Sequence, residues 1–321
     1  MPLLEAVPNV SEGKNPDVLR TLQKNLQQTP GITLLHTDSN PSANRTVFTL
    51  LGEPDALCEA LFHFISCTTR LLDMRTQHGK HPRLGAVDVC PLIPLQDISL
   101  EETAAYARRL GQRVGNELQI PVYLYEAAAA NPARHNLADI RRGEYESLAQ
   151  KLQQMPPDFG PTQLTQAVQK TGACIIGARP FLIAFNINLN TRDVLPAKQI
   201  AAKIRQSGGG LPGVKAIGWY MENFDRAQVS CNITDFKKAP LHTVFEKCRQ
   251  YAAELGWQAT GCELVGLIPL EALLNTGRHY APAQTNPAKL IQTAAEKLNL
   301  CEVKPFIPEQ QILEIKAGLI L

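Results

Sequence analysis

The sequence lacks most of what would mark a nucleic-acid, membrane or disulfide-stapled protein. Its 32 basic residues are nearly balanced by 30 acidic ones, leaving a net charge of +2. That gives no basic surplus to meet a phosphate backbone or an anionic bilayer. No apolar run approaches the roughly 18 residues of a membrane helix. The opening Met1-Pro2-Leu3-Leu4-Glu5-Ala6-Val7-Pro8 has neither the basic start nor the apolar core of a secretory leader, so the chain is read as cytoplasmic. The eight cysteines are scattered from Cys58 to Cys301, with no CxxC pair and mostly in apolar surroundings such as Val89-Cys90-Pro91. They are expected to be reduced and mostly buried. Gly208-Gly209-Gly210 lacks the Lys-Ser/Thr of a phosphate-binding loop and opens no helix, so it reads as a mobile loop. Asp158-Phe159-Gly160 has no His-Arg-Asp or glycine-rich companion and so no kinase meaning.

What is present suits a soluble α/β chain. With 321 residues there is room for two domains of about 150 residues each. Hydrophobic residues make up 44% and charged ones 19%, ordinary for a globular protein. Asn15-Pro16 opens a helix to about Gln28, and Pro54 another to about Asp73. Ala86 to Ile93 reads as a strand buried on both faces. A Pro/Gly-rich passage around Pro156-Pro157 precedes the second half. The halves repeat an order. Arg45-Thr46-Val47-Phe48-Thr49-Leu50 precedes a Pro54-led helix and then Leu92-Ile93-Pro94-Leu95; Arg226-Ala227-Gln228-Val229-Ser230-Cys231 precedes a Pro240-led helix and then Leu267-Ile268-Pro269-Leu270. This predicts duplication, with a small-molecule site in a cleft between the copies.

The most unusual segment is His78-Gly79-Lys80-His81-Pro82-Arg83, where two histidines, a lysine and an arginine fall within six residues just before the buried strand. Gly79 and Pro82 exclude a helix, and a loop carried by a rigid strand commonly bears catalytic groups. An imidazole suits proton transfer near neutral pH. A solvated basic turn and a His-x-x-His zinc pair are the competing readings, although zinc needs further ligands and no cysteine motif supplies them. Asp38 to Arg45 reads as a polar loop between two strands. There Asp38 can orient a histidine or accept from an ammonium, and Asn44 and Arg45 can bind carboxylates. An Asx-stabilised turn is the bland alternative.

A longer set of segments, in order along nearly the whole chain, resembles the formiminotransferase (glutamate formimidoyltransferase) family. They include Val7-Pro8-Asn9-Val10-Ser11-Glu12-Gly13, Asn44-Arg45-Thr46-Val47, and His81-Pro82-Arg83-Leu84-Gly85-Ala86-Val87-Asp88-Val89-Cys90-Pro91. Further on come Arg142-Gly143-Glu144-Tyr145-Glu146, Pro157-Asp158-Phe159-Gly160-Pro161, Phe185-Asn186-Ile187-Asn188-Leu189 and Ala216-Ile217-Gly218-Trp219-Tyr220. The resemblance implies an α+β fold of two ferredoxin-like subdomains with mixed and antiparallel sheets and helices on the outer faces, divided at residues 1–178 and 179–321, usually in a homodimer. It implies transfer of a formimino group from N-formimino-L-glutamate to N5 of tetrahydrofolate, late in histidine degradation. Tetrahydrofolate is then a co-substrate, the partners are small molecules rather than nucleic acid or membrane, and no metal is required.

The family's catalytic histidine falls on His81. Its folate-contacting segment falls around Gly160 to Gly172, with Phe159, Gly160, Lys170, Thr171 and Gly172 as folate-binding candidates. Asp38, Asn44, Arg45 and Arg83 are the substrate-binding candidates, the two arginines for carboxylates. The chain departs from the family at Lys80, where an acidic residue is expected. It departs again in Gln166-Ala167-Val168-Gln169-Lys170-Thr171, which is longer and lacks a tryptophan. A chain ending at Leu321 is expected to lack the cyclodeaminase step of the vertebrate enzyme. Formyl transfer between 5-formyltetrahydrofolate and glutamate, and folate binding without turnover, are the alternatives.

Overall fold

The computed structural model describes residues 1–79 and 81–320, so the departure at Lys80 lies outside the described residues. The chain divides into two compact units, Met1–Pro180 and Phe181–Leu321.

In the first unit, β1 (Leu3–Ala6) and β2 (Asn9–Val10) act as one strand interrupted at Val7-Pro8, since both pair antiparallel with β4 (Arg45–Gly52) and β5 (Val87–Gln96). β3 (Ile32–Asn40) forms the outer edge on β4. On the other side β5 continues into the parallel strands β7 (Cys174–Ala178) and β6 (Val122–Glu126), which makes the sheet mixed. α1 (Pro16–Gln27) starts where the Asn15 side chain accepts from the Asp17 and Val18 amides, with proline at the first turn. α2 (Pro54–Leu71) also opens on a proline. α3 (Leu100–Leu118) opens on a Ser99–Glu102 capping box.

One face of this sheet packs on α1 to α3, burying Leu4, Phe48, Leu50, Leu57, Leu61 and Phe64. Each such side chain contributes about 1.5–3 kcal/mol by leaving water. The opposite face carries Val89, Tyr123, Tyr125 and Ile175. It buries Ile140 of α4 (Leu137–Arg141), Leu148 and Leu152 of α5 (Leu148–Gln154), and Val168 of α6 (Gln166–Thr171). β5 is therefore covered on both faces from Val87 to Ile93, as its strongly apolar run predicts.

The second unit runs β8 (Ile183–Leu189), α7 (Val194–Ile204), β9 (Val214–Met221), β10 (Arg226–Ile233), α8 (Leu241–Glu254) and β11 (Ala259–Val265). Its four strands are antiparallel in the order β11-β8-β10-β9. α9 (Leu270–Tyr280) and α10 (Pro287–Lys297) complete it. Alternate residues Phe185, Ile187, Val229, Cys231, Cys262 and Leu264 point into its core.

Two expectations change. The polar stretch from Asp38 is strand as far as Asn40, so only residues 41–44 make the turn. Gly208-Gly209-Gly210 is not a loose loop but the tight end of α7. The Gly210 and Leu211 amides bond Arg205 O at 3.1 Å and Ile204 O at 2.9 Å, and Gly209 takes a φ of +81°. Residues 166–171 form a helix. The eight cysteines are free, five of them buried. Among the described residues no helix is long and apolar enough to cross a membrane.

α6 ends on Gly172, and this is where the fold presses on the histidine loop. Gly172 has a φ of +66°, and a Cβ there would meet the Gly85 Cα and the Leu84 carbonyl at 2.4 Å each. Gly172→Ala should therefore cost about 2–4 kcal/mol, combining left-handed strain with a backbone clash. Denaturant unfolding measures it, and a loss below about 1 kcal/mol would show that α6 slides freely against residues 84–85.

Candidate active site

Residues 77–79 and 81–85 are held as a loop by side chains from three other segments. Asn44 adopts a φ of +48° at the end of the β3–β4 turn. Its Oδ1 accepts from the Gly13 amide at 2.9 Å, and its Nδ2 donates to Gln77 Oε1 at 2.8 Å and to the His78 carbonyl at 3.0 Å. Buried Glu12 accepts from the Lys14 and Asn15 amides and from Gln77 Nε2 at 3.2 Å. Ser11 Oγ donates to Gly85 O at 2.8 Å. Gly79 admits no side chain, because a Cβ would lie 2.3 Å from Ala43 O. The Asn-Val-Ser-Glu-Gly segment, the hairpin turn and the His81 loop thus form one hydrogen-bonded unit.

Behind the loop stands Asp88. The pairing of β2 with β5 shifts register here: Val10 faces Val87, Asn9 faces Val89, and Asp88 is the extra residue. A bulge re-aims a side chain in this way. Asp88 is fully buried. Its Oδ1 accepts from the Leu84 amide at 2.8 Å. Its Oδ2 accepts from Arg45 Nη1 at 2.8 Å and also from Arg141 Nη2. Arg45 is buried as well, and its Nε donates to Asn9 Oδ1 at 2.9 Å. Arg141 has a buried Nε with no acceptor.

The charges here determine protonation. Burial works to raise the Asp88 carboxyl, but the Arg141 and Arg45 cations prevail and hold it at about 2. Burial brings the Arg45 guanidinium down to about 10 against the attraction of Asp88, so it stays charged at neutral pH. Half-buried His81 is lowered to about 3, by burial first and then by Arg45 and Arg141, with Asp88 and the Pro82 carbonyl opposing. His81 Nδ1 lies 2.8 Å from Pro82 O. A carbonyl can only accept, so Nδ1 carries the proton and Nε2 keeps the basic lone pair.

Arg83 serves the loop itself. Its Nε and Nη2 donate to Gln77 O at 3.1 and 2.9 Å, and Nη2 pairs with Glu146 Oε1 at 2.7 Å. Glu144 Oε2 accepts from the Arg83 amide at 3.3 Å from a backbone with φ +54°. Arg83 lines a cavity of about 380 Å³ with His78, Gly79, Gly143, Glu144 and Glu146.

Of the residues singled out from sequence, His81, Asn44, Arg45 and Arg83 gather at this loop. Lys170, Thr171 and Gly172 join them at its exit. The Met74 amide bonds Lys170 O, and the Ala86 amide bonds Thr171 O, both at 2.8 Å. Lys170 Nζ donates to Arg70 O at 3.1 Å. Asp38 sits in β3 opposite Val47, half-buried. Phe159 and Gly160 stand apart from the loop: Phe159 pairs with Val122, and Gly160 packs on Ile120 O and Gly115.

Sequence reasoning missed Asp88, Arg141, Glu12, Gln77, Glu144 and Glu146. One signal was available: a lone aspartate inside the apolar run Val87-Asp88-Val89 must be paired once buried. Also missed was a polar network in the second unit. There Gln228 Nε2 donates to Asn188 Oδ1 at 2.7 Å and to Glu263 Oε2 at 3.3 Å, Trp219 Nε1 to Gln228 Oε1 at 3.0 Å, and Asn188 Nδ2 to Glu302 Oε2 at 2.7 Å. Its buried amides alternate with the core positions of β8 and β10.

Asp88→Asn should cost about 3–5 kcal/mol at pH 7, because two sequestered guanidiniums lose their counter-ion. The pH dependence has a defined sign. The unfolded chain binds protons more readily at both groups, near 6.5 for His81 and 3.8 for Asp88, against about 3 and 2 in the fold. Their stabilisation is complete above pH 6.5 and fades as pH falls through this range. Denaturant midpoints from pH 8 to pH 2 measure both effects, and a variant within about 1 kcal/mol of the parent at pH 7 would remove Asp88 as the counter-ion.

Two family models divide the chain between them. The N-terminal subdomain of the formiminotransferase domain matches residues 3–179, and the formiminotransferase domain matches residues 184–317. The formimidoyltransferase-cyclodeaminase of Mus musculus is 44% identical over 97% of this chain, which spans 59% of that relative's length. The glutamate formimidoyltransferases of Streptococcus pyogenes serotype M1 and Thermoplasma acidophilum are 39% and 40% identical, each over 87% of this chain and over 93% and 92% of their own lengths. With both models matched in sequence order and relatives near 40% identity covered almost end to end, the chain belongs to the formiminotransferase family.

Proposed function

We propose that the chain is a glutamate formimidoyltransferase. It moves the formimino group of N-formimino-L-glutamate to N5 of tetrahydrofolate, yielding 5-formiminotetrahydrofolate and L-glutamate. The observation that carries the reading is His81: its Nδ1 is pinned to the Pro82 carbonyl, which leaves Nε2 to move a proton. N5 attacks the amidine carbon and a C–N bond forms. The tetrahedral intermediate then expels the glutamate nitrogen. N5 must lose a proton and the departing amine must gain one, and in this reading His81 Nε2 carries it between them. Arg45, Arg83 and Asn44 are proposed to serve the substrate carboxylates, Asp38 to orient His81 or hold the cationic amidine, and Phe159, Gly160, Lys170, Thr171 and Gly172 to hold the folate. Tetrahydrofolate enters as co-substrate, and the step draws on no metal.

The finer architecture belongs to the same proposal. Each unit is read as ferredoxin-like and the pair as a duplication, in a cytoplasmic homodimer divided at residue 178. Support for duplication lies in the repeated order strand–helix–strand–strand–helix–strand. Arg45–Gly52 and Arg226–Ile233 occupy the same place in it, each followed by its helix and the next strand.

His81→Ala should lower the transfer rate by about 10²–10⁴-fold while folding and binding reduced folate like the parent. Steady-state assays with formiminoglutamate, and with 5-formyltetrahydrofolate and glutamate as the competing pair, test it. Turnover near the parent's would remove His81 from the chemistry. Folate binding by the parent with no transfer from any of these substrates would reduce the protein to a folate binder.

A further inference from the structure

Two guanidiniums share one carboxylate beside His81. Arg45 from β4 and Arg141 from α4 both bond Asp88 Oδ2, while Asp88 Oδ1 is spent on the Leu84 amide. The cluster therefore holds two positive charges against one negative, with Arg45 and Asp88 buried and the Arg141 side chain only 14% exposed. An unmatched charge in such surroundings is costly. The hydrogen bonding is unfinished in the same place, since Arg141 Nε is buried with no acceptor. A site short of one negative charge and one acceptor is built for an anion that arrives later. Arg83, by contrast, already has Glu146 and Glu144 as partners.

We propose that Arg141 is the residue that anchors a carboxylate of the formimino donor, completing next to His81 the charge that Asp88 leaves half-balanced. This rests on the formimidoyltransferase reading. It has a consequence for the proton shuttle. The charged groups facing His81 are Arg45 from β4, Arg141 from α4 and Asp88 from β5, with the Pro82 carbonyl on its own loop. In the free protein burial first, and then the excess cation, suppresses protonation of His81, so the imidazole is a feeble base. A bound carboxylate cancels that excess and lifts the share of the suppression that the cations cause, so basicity rises at the moment a donor is present. Arg141 is thus a positioning residue for the donor and, through its charge, a switch on His81. The folate tail also carries a carboxylate, and the kinetic arms below separate the two sources.

The test uses the full chain with isotopically labelled histidine, read by NMR from pH 2.5 to pH 8 with and without L-glutamate. L-glutamate should raise the His81 pKa by at least one unit in the parent and leave it unmoved in Arg141→Gln. In assays Arg141→Gln should raise KM for formiminoglutamate at least tenfold and KM for tetrahydrofolate less than twofold. Arg141→Lys, which keeps the charge but not the fork, should fall between. In the parent, kcat should show an ascending limb with pH that kcat/KM lacks, because only the first reports the loaded enzyme. An unchanged donor KM in folded Arg141→Gln, a rise confined to the folate KM, or no response of His81 to L-glutamate in the parent would each overturn the proposal. The NMR arm needs no turnover and survives a failed transfer assay, so loss of the proposed activity and loss of this anchor are distinguishable. If Arg141→Gln does not fold, Arg141→Lys and the parent titration still decide it.

Discussion

The Asp88 carboxylate is the constraint on which the candidate site depends. It lies at a bulge of a strand buried on both faces, and it divides its two oxygens between the backbone of the His81 loop and two arginines. A buried carboxylate held by so many donors cannot move without leaving charge unsolvated. The loop, β4 and α4 are therefore referred to a single point. Arg45 passes the constraint on to Asn9, and Asn44, one residue earlier, passes it to Gly13, Gln77 and His78. Segments far apart in sequence acquire a common geometry in this way, and a catalytic group needs that if it is to stay within a fraction of an ångström of its task.

Close backbone contact does the rest. Gly85 lies so near Ala173 that a Cβ would be 2.2 Å from its carbonyl oxygen, and Gly172 meets Gly85 from the other side. These glycines clamp the exit of the His81 loop onto the segment proposed to hold folate. The clamp explains why Lys170 and Thr171, whose carbonyls bond Met74 and Ala86, arrive at the loop while Phe159 does not. Phe159 packs instead with the core around α3, where Gly115 makes room for it.

What was legible in the sequence had a local cause. The buried strand from Val87 showed in its strongly apolar run, the helix starts in Asn15-Pro16 and Pro54, and the His81 loop in Gly79 and Pro82. The repeated order of the two halves was legible because it lies in the chain itself. The long-range features were not. α4, α5 and α6 are short, and their apolar residues are fixed by the second face of the sheet rather than by a strong period of their own. The hairpin from Ile32 to Gly52 extends past a polar stretch because ladder pairing with β4 outweighs the turn preference of Asp38 and Asn40. The triple glycine looked loose because glycine permits motion. It is tight because two of its residues approach the α7 backbone more closely than any side chain would allow. Asp88 could be suspected from sequence, but its partner Arg141 is 53 residues away and carries no signal of its own.

The electrostatics of the cluster reverse the usual expectation for a catalytic histidine. An imidazole is chosen for proton transfer because its ordinary pKa lies near neutrality, yet burial and two neighbouring cations drive this one far below it. Such a group is wasteful if the free protein is the working state. It is economical if the working state contains an anion that the free protein lacks. The same surplus charge that helps burial to silence His81 would attract a substrate carboxylate, and once neutralised it would leave burial alone to hold the histidine down. Binding and proton transfer then draw on one electrostatic imbalance, so a ligand without the carboxylate would be both poorly held and poorly processed. Selectivity of that kind arises from charge counting rather than from shape, and it places the decisive residues behind the histidine instead of at its tip.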